Sequence, residues 1–162
     1  MEIRVARADD AEAMRAIYNV EVETSTVTFD LVPRSLAEQR AWLAARTGAH
    51  VALVAEEAGE VIGFASLSPY KERPAYSTSV EDSVYVHRDH QGKGVAKALM
   101  ADLLQVAQAS GFHAVFARIV GGHEASIGLH AAFGFEVVGT EREVGRKFGK
   151  WLDVVVMQRL LR

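Results

Sequence analysis

The segment Gln91–Ala96, with the sequence QGKGVA, has the composition of a turn that binds an anion. Glycine at positions 92 and 94 permits backbone conformations that a side chain forbids and lets the chain approach a ligand closely. A helix beginning directly after them presents N–H groups without acceptors and a partial positive charge. Lys93 adds a mobile positive charge. The segment therefore predicts a phosphate site; the alternative is a glycine-rich loop that only turns the chain.

Three phosphate-binding motifs compete for this turn. A P-loop requires G-x-x-x-x-G-K followed by Ser or Thr, whereas Lys93 is followed by Gly94 and the preceding spacing is wrong. The dinucleotide fingerprint G-x-G-x-x-G requires a glycine at position 97, which is Lys, and a parallel strand before the turn. The pattern Q/R-x-x-G-x-G/A is satisfied by Gln91, Gly94 and Ala96, so this third motif is the one that fits.

Other reactive side chains form no pattern of comparable specificity. His87 and His90 lie where a strand is predicted to run into a loop, so their spacing does not bring them together, and no metal site is predicted. Ser25, Ser68 and Ser126 lack the G-x-S-x-G setting of a hydrolase nucleophile. The chain has no Cys, which excludes disulfides, iron–sulfur clusters, thiolate zinc sites and a cysteine nucleophile.

Hydrophobic periodicity and capping signals predict the elements around the turn. In chain order they are strand 3–6, a helix capped by Asp9 or Asp10 and ending near Val22, a helix opened by a Ser35–Glu38 capping box and ending near Gly48, strands 51–56, 61–68 and 79–87, helix 95–109, strand 114–120, helix 124–133, and strands 136–144 and 151–160. The polar, β-branched run 24–30 predicts a shaped loop. Tyr85 is expected to face away from Val80, Val84 and Val86.

The connection lengths predict the sheet. Strands 51–56, 61–68 and 79–87 must be antiparallel because their connections are too short for crossovers, whereas helix 95–109 can carry a parallel β-α-β step. No repeat, low-complexity tract or linker interrupts the chain. We expect one domain over residues 1–162 with an α/β (α+β) fold: a mixed, mostly antiparallel sheet flanked by helices, in the order β-α-α-β-β-β-α-β-α-β-β.

Composition narrows the function classes. The chain has 162 residues, with 18 Lys and Arg against 21 Asp and Glu, a net charge of −3. This balance argues against a nucleic-acid partner held by neutralised phosphates. No run approaches the roughly 20 apolar residues of a membrane helix, and the first residues lack the order of a signal peptide. We expect a cytoplasmic protein without a nucleic-acid or membrane partner.

Four further segments extend the motif into a family resemblance. The Q-x-x-G-x-A turn after a V-Y-V strand is similar to the acetyl-CoA-binding motif of the GNAT N-acetyltransferase superfamily, whose fold the predicted element order resembles along nearly the whole chain. Within it, the chain resembles the phosphinothricin and methionine sulfone (sulfoximine) acetyltransferase branch. The resembling segments are VEVETSTVTF at 20–29, SVEDSVYVH at 79–87, LHAAFGF at 129–135 and GRKFGKWLD at 145–153.

The resemblance implies where acetyl-CoA binds. Its pyrophosphate would lie on main-chain amides of Gln91, Gly92, Lys93, Gly94, Val95 and Ala96. Its pantetheine arm would pair like an added strand along Val84, Tyr85 and Val86, where the family's sheet splays open. The amide near Val86 would then stabilise the oxyanion that forms as the amine attacks. His123, three residues before Ser126, stands where the family usually has a cofactor-contacting Asn, and His can still donate a hydrogen bond.

Two residues are candidates for the proton chemistry. An α-amino group with a reference pKa of about 8 is mostly protonated at neutral pH, so a base is useful. Glu81 stands where this branch has its acidic catalytic residue; the alternative is a solvated carboxylate. His130 shares a helix face with Ser126 and stands where many relatives have Tyr as the acid for the CoA thiolate. Imidazole can serve as acid or base, but a packed histidine is the alternative, and water also remains a candidate base.

The acceptor side is predicted from the loop before strand 79–87. This loop contains Arg73, whose planar guanidinium is suited to bidentate hydrogen bonds with carboxylate, phosphinate or sulfone oxygens. Phe29 and Tyr76 would shape the apolar part of the site, whereas the alternative for the segment is a solvated basic loop. Trp151 is expected near the same mouth or against a second subunit, since relatives are commonly homodimers.

These observations predict an enzyme that moves acetyl from acetyl-CoA to the amino group of a small amino acid or analogue with an anionic or polar end. Transfer would be direct, because no cysteine is present to form an acyl-enzyme, and no metal would be needed. The alternatives are an N-acetyltransferase for a protein N-terminus or another amine, and a non-catalytic CoA-binding regulatory module.

Overall fold

The chain, described over residues 1–162 by a computed structural model, contains seven strands and four α-helices in the predicted order. The strands are β1 (Glu2–Val5), β2 (Ala52–Glu57), β3 (Glu60–Pro69), β4 (Ser79–Val86), β5 (Ala114–Val120), β6 (Glu136–Lys147) and β7 (Lys150–Leu160). The helices are α1 (Ala11–Thr24), α2 (Leu36–Ala44), α3 (Val95–Ala109) and α4 (Glu124–Ala132). None of these helices is long and apolar enough to cross a membrane.

The strands form one sheet in the order β1-β2-β3-β4-β5-β7-β6. All neighbouring pairs are antiparallel except β4 and β5, which are parallel and joined through α3. The predicted mixed, mostly antiparallel α/β fold is therefore confirmed.

Two helix ends differ from the prediction. Asp10 is the N-cap residue of α1 as predicted, although its carboxylate accepts from the amide of Arg7 at 2.7 Å and not from an amide of α1; the helix continues to Thr24, beyond Val22. The Ser35–Glu38 capping box is confirmed, with both reciprocal bonds at 3.1 Å. However, α2 ends at Ala44, short of Gly48, because the guanidinium of Arg46 turns back to donate to the carbonyl of Trp42.

The sheet separates two apolar layers. On one face, α3 packs Leu99, Met100 and Leu103 against buried residues of β2, β3, β4 and β5. On the other face, α1 and α2 cover Phe64 and Tyr85, and the Tyr85 ring contacts that of Tyr18 edge-on at 5.1 Å. Tyr85 therefore faces away from Val80, Val84 and Val86, as predicted.

Gly63 of β3 allows α3 to lie directly on the sheet. A Cβ at this position would stand 3.1 Å from the carbonyl oxygen of Tyr85 and 3.1 Å from Cγ1 of Val95. It would also stand 3.2 Å from Cδ1 of Leu99. The missing side chain thus sets how closely the first turns of α3 approach β3.

The central feature of the sheet is the divergence of β4 and β5. Their register contains only Ser79↔Ala114, Val80↔Val115 and Glu81↔Phe116. Beyond this point β4 follows β3 as far as Val86, whereas β5 follows β7 as far as Val120. The sheet therefore opens into a V, as the resemblance implied, and the inner edges of both strands lose their strand partner.

Candidate active site

A cleft of about 700 Å³ lies between the diverging ends of β4 and β5, bounded by the start of α3 and by α4. The expected residues that line it are Val84, Tyr85, Val86, Gln91, Gly92, Gly94, Val95, Ala96, His123, Ser126 and His130. Those that do not line it are Phe29, Arg73, Tyr76, Glu81 and Lys93. The structure thus assembles the candidate cofactor residues in one place and leaves the candidate acceptor residues outside this lining.

The edge of β4 that faces the cleft presents main-chain peptide groups without a strand partner. His87 donates its amide to the carbonyl of Ile62 on β3 at 2.8 Å, so odd-numbered residues here pair with β3. Because consecutive peptide groups of a strand point to opposite sides, those of Asp82, Val84 and Val86 point into the cleft. A strand-like ligand can pair with this edge.

The turn before α3 presents a run of free amides. The amides of residues 92–97 donate to no protein acceptor, and the first helical bond runs from Ala98 to the carbonyl of Gly94 at 3.1 Å. The run starts one residue later than expected, because the amide of Gln91 donates to the carbonyl of Arg88 at 3.4 Å. Six adjacent N–H groups at a helix start form an anion site.

Both glycines of the turn have the left-handed conformation, with φ of 75° at Gly92 and 81° at Gly94. A Cβ at either position would meet nothing within 4 Å, so conformation and not space requires glycine here. The Lys93 side chain is exposed and does not line the cleft, whereas Lys97 of the first turn of α3 does. A contribution of charge from Lys93 stays a prediction.

His123 and Ser126 line the opposite side of the cleft at the start of α4. Burial lowers the pKa of His123, and the nearby positive ring of His130 lowers it further, against the opposing charge of Glu21. The imidazole of His123 is therefore neutral at pH 7, with one N–H available as a donor, as the Asn of the family pattern would have.

His130 is a buried, doubly bonded ring. Its Nε2 lies 2.9 and 3.0 Å from the carboxylate oxygens of Asp82, and its Nδ1 lies 2.7 Å from the carbonyl of Ser126. Both neighbours are acceptors, an arrangement that favours donation by both ring nitrogens and hence the imidazolium form. Burial lowers the pKa of His130, but the hydrogen bond and charge of Asp82 outweigh it, and the net pKa is raised.

Glu81 lies at the point where β4 and β5 part, on the sheet face opposite Asp82. Its Oε1 is 4.0 Å from Nε of Arg118, a cleft-lining residue that also pairs with Glu141 of β6. Burial raises the pKa of Glu81, and Asp82 adds to this, while the charge of Arg118 opposes it. A carboxylate with a raised pKa is a stronger base than an ordinary one.

The candidate acceptor residues do not all lie together. Arg73 and Tyr76 line a shallow hollow with Lys71 and Glu72, whereas Phe29 lies apart, against Gly145 of β6. Tyr76 contacts Tyr70, which stacks on Phe116 at 4.3 Å, the register partner of Glu81. An aromatic row thus connects the hollow to Glu81.

Sequence reasoning missed four charged residues of the site: Glu21, Asp82, Lys97 and Arg118, all of which line the cleft. Glu21 holds Arg88 at 3.1 Å and so ties α1 to the segment before the turn. The available signal was alternation along β4, which places Asp82 on the apolar face of the sheet, where a carboxylate needs a partner. No group of three or more His, Asp or Glu converges as a metal site would require.

Replacing Asp82 tests the charge state of His130. Because the folded pKa of His130 is raised above the unfolded value of about 6.5, the pair stabilises the protein below that pH and loses its contribution as pH rises through the folded pKa. Asp82→Asn should lower the pKa of His130 in an NMR titration of the ring protons and reduce stability most at acidic pH. Asp89→Asn, an exposed carboxylate, is the control; an unchanged His130 pKa in Asp82→Asn would contradict the imidazolium assignment.

Comparisons with known proteins agree with this geometry. The family model described as "Acetyltransferase (GNAT) domain" matches residues 3–156. The chain is 40% identical to an L-methionine sulfoximine/L-methionine sulfone acetyltransferase of Pseudomonas aeruginosa, over 96% of this chain and 92% of that protein. It is also 40% identical to a phosphinothricin N-acetyltransferase of Streptomyces coelicolor, over 99% and 96%.

One similar solved structure carries the cofactor. A GNAT superfamily phosphinothricin acetyltransferase from Sinorhizobium meliloti, in complex with AcCoA, superposes with a TM-score of 0.95 and 40% identity, over 99% of this chain and 88% of that one. The fold is therefore that of a known enzyme family. The chain belongs to the GNAT acetyltransferases and is an N-acetyltransferase that uses acetyl-CoA.

Proposed function

We propose that this protein acetylates the amino group of a small amino acid or analogue that carries an anionic or polar end, of the phosphinothricin or methionine sulfone type. The names of the relatives at 40% identity support this acceptor class. The proposed binding of acetyl-CoA is supported by the run of unpaired amides at 92–97 beside the open edge of β4.

The chain's own residues fit the cofactor. Amides of Gly92 through Ala96 would hold the pyrophosphate, and Lys97 would add charge at the cleft wall. The peptide groups of Val84 and Val86 would pair with the amide-bearing arm, as a neighbouring strand would. Bound acetyl-CoA supplies an acetyl group activated as a thioester. The amide of Val86 would donate to the carbonyl oxygen of that group, where negative charge develops as the amine attacks.

Proton movement falls to groups on both faces of the sheet. Glu81 would take the proton of the incoming ammonium, directly or through one water, since burial raises its pKa towards the range useful for a base. His130, held as an imidazolium by Asp82, would place positive charge at the wall where the thiolate leaves. Because both N–H groups of this ring already donate, it can protonate the thiolate only by exchanging one of those bonds.

The acceptor would lie on the Glu81 face of the sheet. Arg73 would bind its anionic end from the hollow that it shares with Lys71 and Tyr76. Phe29, whose side chain is 40% exposed, would shape the apolar part of the site. The supporting observation is the aromatic row that links the hollow to Glu81.

We also propose that the protein is a cytoplasmic homodimer. The absence of cysteine fits a reducing compartment. The edge strand β6 and its hairpin with β7 expose large apolar side chains, namely Val137, Val138, Val144, Phe148 and Trp151. An exposed edge with an apolar surface is a natural site for self-association, and sedimentation velocity measures the resulting mass.

Acetyl-CoA-dependent thiol release tests the proposed function. The panel contains phosphinothricin, methionine sulfone, common amino acids and a short peptide with a free N-terminus. Release with the free amino acids and analogues, and little with the peptide, is the expected result. Preference for the peptide would favour a protein N-terminal acetyltransferase. Acetyl-CoA binding without release for any amine would favour a non-catalytic module.

Gly94→Val tests the anion site. A β-branched residue is strained at a φ of 81° and should displace the amides that follow, so acetyl-CoA binding by calorimetry should weaken by about tenfold or more. Gly111→Val is the matched control, because its φ of 86° imposes similar strain after the end of α3, away from the cleft. Equal affinities of Gly94→Val and wild type would remove the amide run from the proposed site.

Glu81→Gln tests the base. The variant keeps the shape of the side chain but cannot accept a proton, so kcat should fall by about 10²-fold or more with little change in the KM for acetyl-CoA. The acidic limb of the kcat–pH profile should also disappear, since the wild-type base works only above its raised pKa. Glu60→Gln, an exposed carboxylate of the β2–β3 hairpin, is the control. An unchanged kcat in Glu81→Gln would assign the role to water or His130.

Arg73→Ala tests the anion-binding role on the acceptor side. Loss of a charge-assisted bond should raise the KM for the acceptor by about tenfold or more and leave that for acetyl-CoA nearly unchanged. Arg73→Lys should recover only part of the loss, because an ammonium lacks the planar fork. Equal increases in both KM values would contradict this role.

A further inference from the structure

The segment between α1 and α2, residues 25–35, is fastened to α1 along its length. The backbone of Arg34 pairs with the side-chain amide of Asn19 in both directions, at 2.9 and 3.0 Å, and its carbonyl also accepts from Arg15 at 2.7 Å. Nearer the cleft, the hydroxyl of Thr28 lies 2.8 Å from that of Tyr18. These contacts hold the segment from its helical side.

A second attachment comes from β6, more than a hundred residues away in sequence. The ammonium of Lys147 donates to the carbonyl of Thr28 at 2.9 Å, and the residue is only 4% exposed. Burial lowers the pKa of Lys147, while the charges of Asp30 and Glu21 favour the ammonium. No carboxylate lies within ion-pair distance of it. Its other contact is the ring of Phe148, whose centroid lies 5.3 Å from Nζ. A buried charge without a charged partner is an expensive way to stabilise a fold.

The same strand also seats the ring of Phe29. A Cβ built at Gly145 would lie 2.3 Å from Cε2 of Phe29 and 2.8 Å from its Cζ. Gly145 does not have a positive φ, so glycine is required here for space and not for conformation. The ring therefore lies directly on the backbone of β6, and its position depends on the missing side chain.

These two contacts hold the two residues that directly follow the part of the segment that reaches the cleft. Val27 lines the cleft, and Thr28 and Phe29 follow it directly. Moving Phe29 off Gly145, or releasing Thr28 from Lys147, therefore shifts the wall that stands between the cleft and the acceptor side.

We propose that Gly145 and Lys147 of β6 are positioning residues that determine acceptor specificity by fixing where Phe29 and Thr28 stand at the acceptor site. This inference rests on the proposed function, because it takes Phe29 as a wall of that site. The absent side chain of Gly145 leaves room for the ring against β6, and the ammonium of Lys147 holds the adjoining carbonyl of Thr28.

Gly145→Ala is the first test. Displacement of the ring should raise the KM for the acceptor about tenfold, because a misplacement of about 1 Å can cost up to about 10²-fold in rate, while the KM for acetyl-CoA stays within about twofold. Gly139→Ala is the matched control, since it lies on the same strand and a Cβ there would meet nothing within 4 Å. Equal changes in both KM values, or none in a folded Gly145→Ala protein, would overturn the inference.

A double-mutant cycle with Phe29→Ala shows whether the effect acts through the ring. With the ring removed, adding a Cβ at 145 should have no further effect on the acceptor KM, and kcat/KM should rise for amino acids with longer side chains relative to short ones. This background also keeps the test available if Gly145→Ala alone does not fold. Independent, additive effects of the two substitutions would overturn the inference.

Lys147→Met and Lys147→Arg test the second attachment. The methionine variant should raise the acceptor KM without changing that for acetyl-CoA, and the arginine variant should restore part of the loss because it can still donate to Thr28. Equal behaviour of the two variants would overturn the role of Lys147. Wild-type protein that acetylates no amino acid in the panel would instead overturn the proposed function.

Discussion

The short pairing of β4 with β5 is the constraint on which the rest of the structure depends. Three register pairs hold the two strands, and beyond Glu81 and Phe116 each strand remains with its outer partner. Buried peptide groups require hydrogen-bond partners, so an open inner edge in the middle of a sheet needs water or a ligand to complete it. The cleft and its strand-like edge both follow from this divergence.

The divergence also separates two kinds of charge. Asp82 and His130 form their pair on the α3 and α4 side of the sheet, and Glu81 and Arg118 form theirs on the side of α1. Adjacent residues of one strand thus serve opposite faces, because side chains alternate along it. One strand therefore carries the carboxylate that pairs with His130 on one face and a carboxylate with a raised pKa on the other, without requiring the two to meet.

The elements were predictable because each has a local cause. The periodicity of α3, the glycines before it and the alternation along β4 are readable from neighbouring residues, and they led to the correct fold, while the cofactor came from the family resemblance. The partner of His130 was not readable, since Asp82 is 48 residues away and only the packing of α4 brings them together. For the same reason, the contacts of Arg118 and of Lys147 appeared only in the folded chain. The alternation of residues predicts which face of a strand is apolar, but it does not predict the residue at which a neighbouring strand stops pairing with it.

In the proposed site the amides at 92–97 would bind the cofactor through the peptide backbone, which every residue other than proline provides. Most side chains around that turn could then change in evolution without loss of the cofactor, provided that the two glycine conformations are kept. The proposed acceptor site would differ, because it would be made of side chains whose replacement changes which amine is bound. Enzymes with such a site can keep acetyl-CoA as the donor while the acceptor amine changes, as relatives named for different acceptors illustrate.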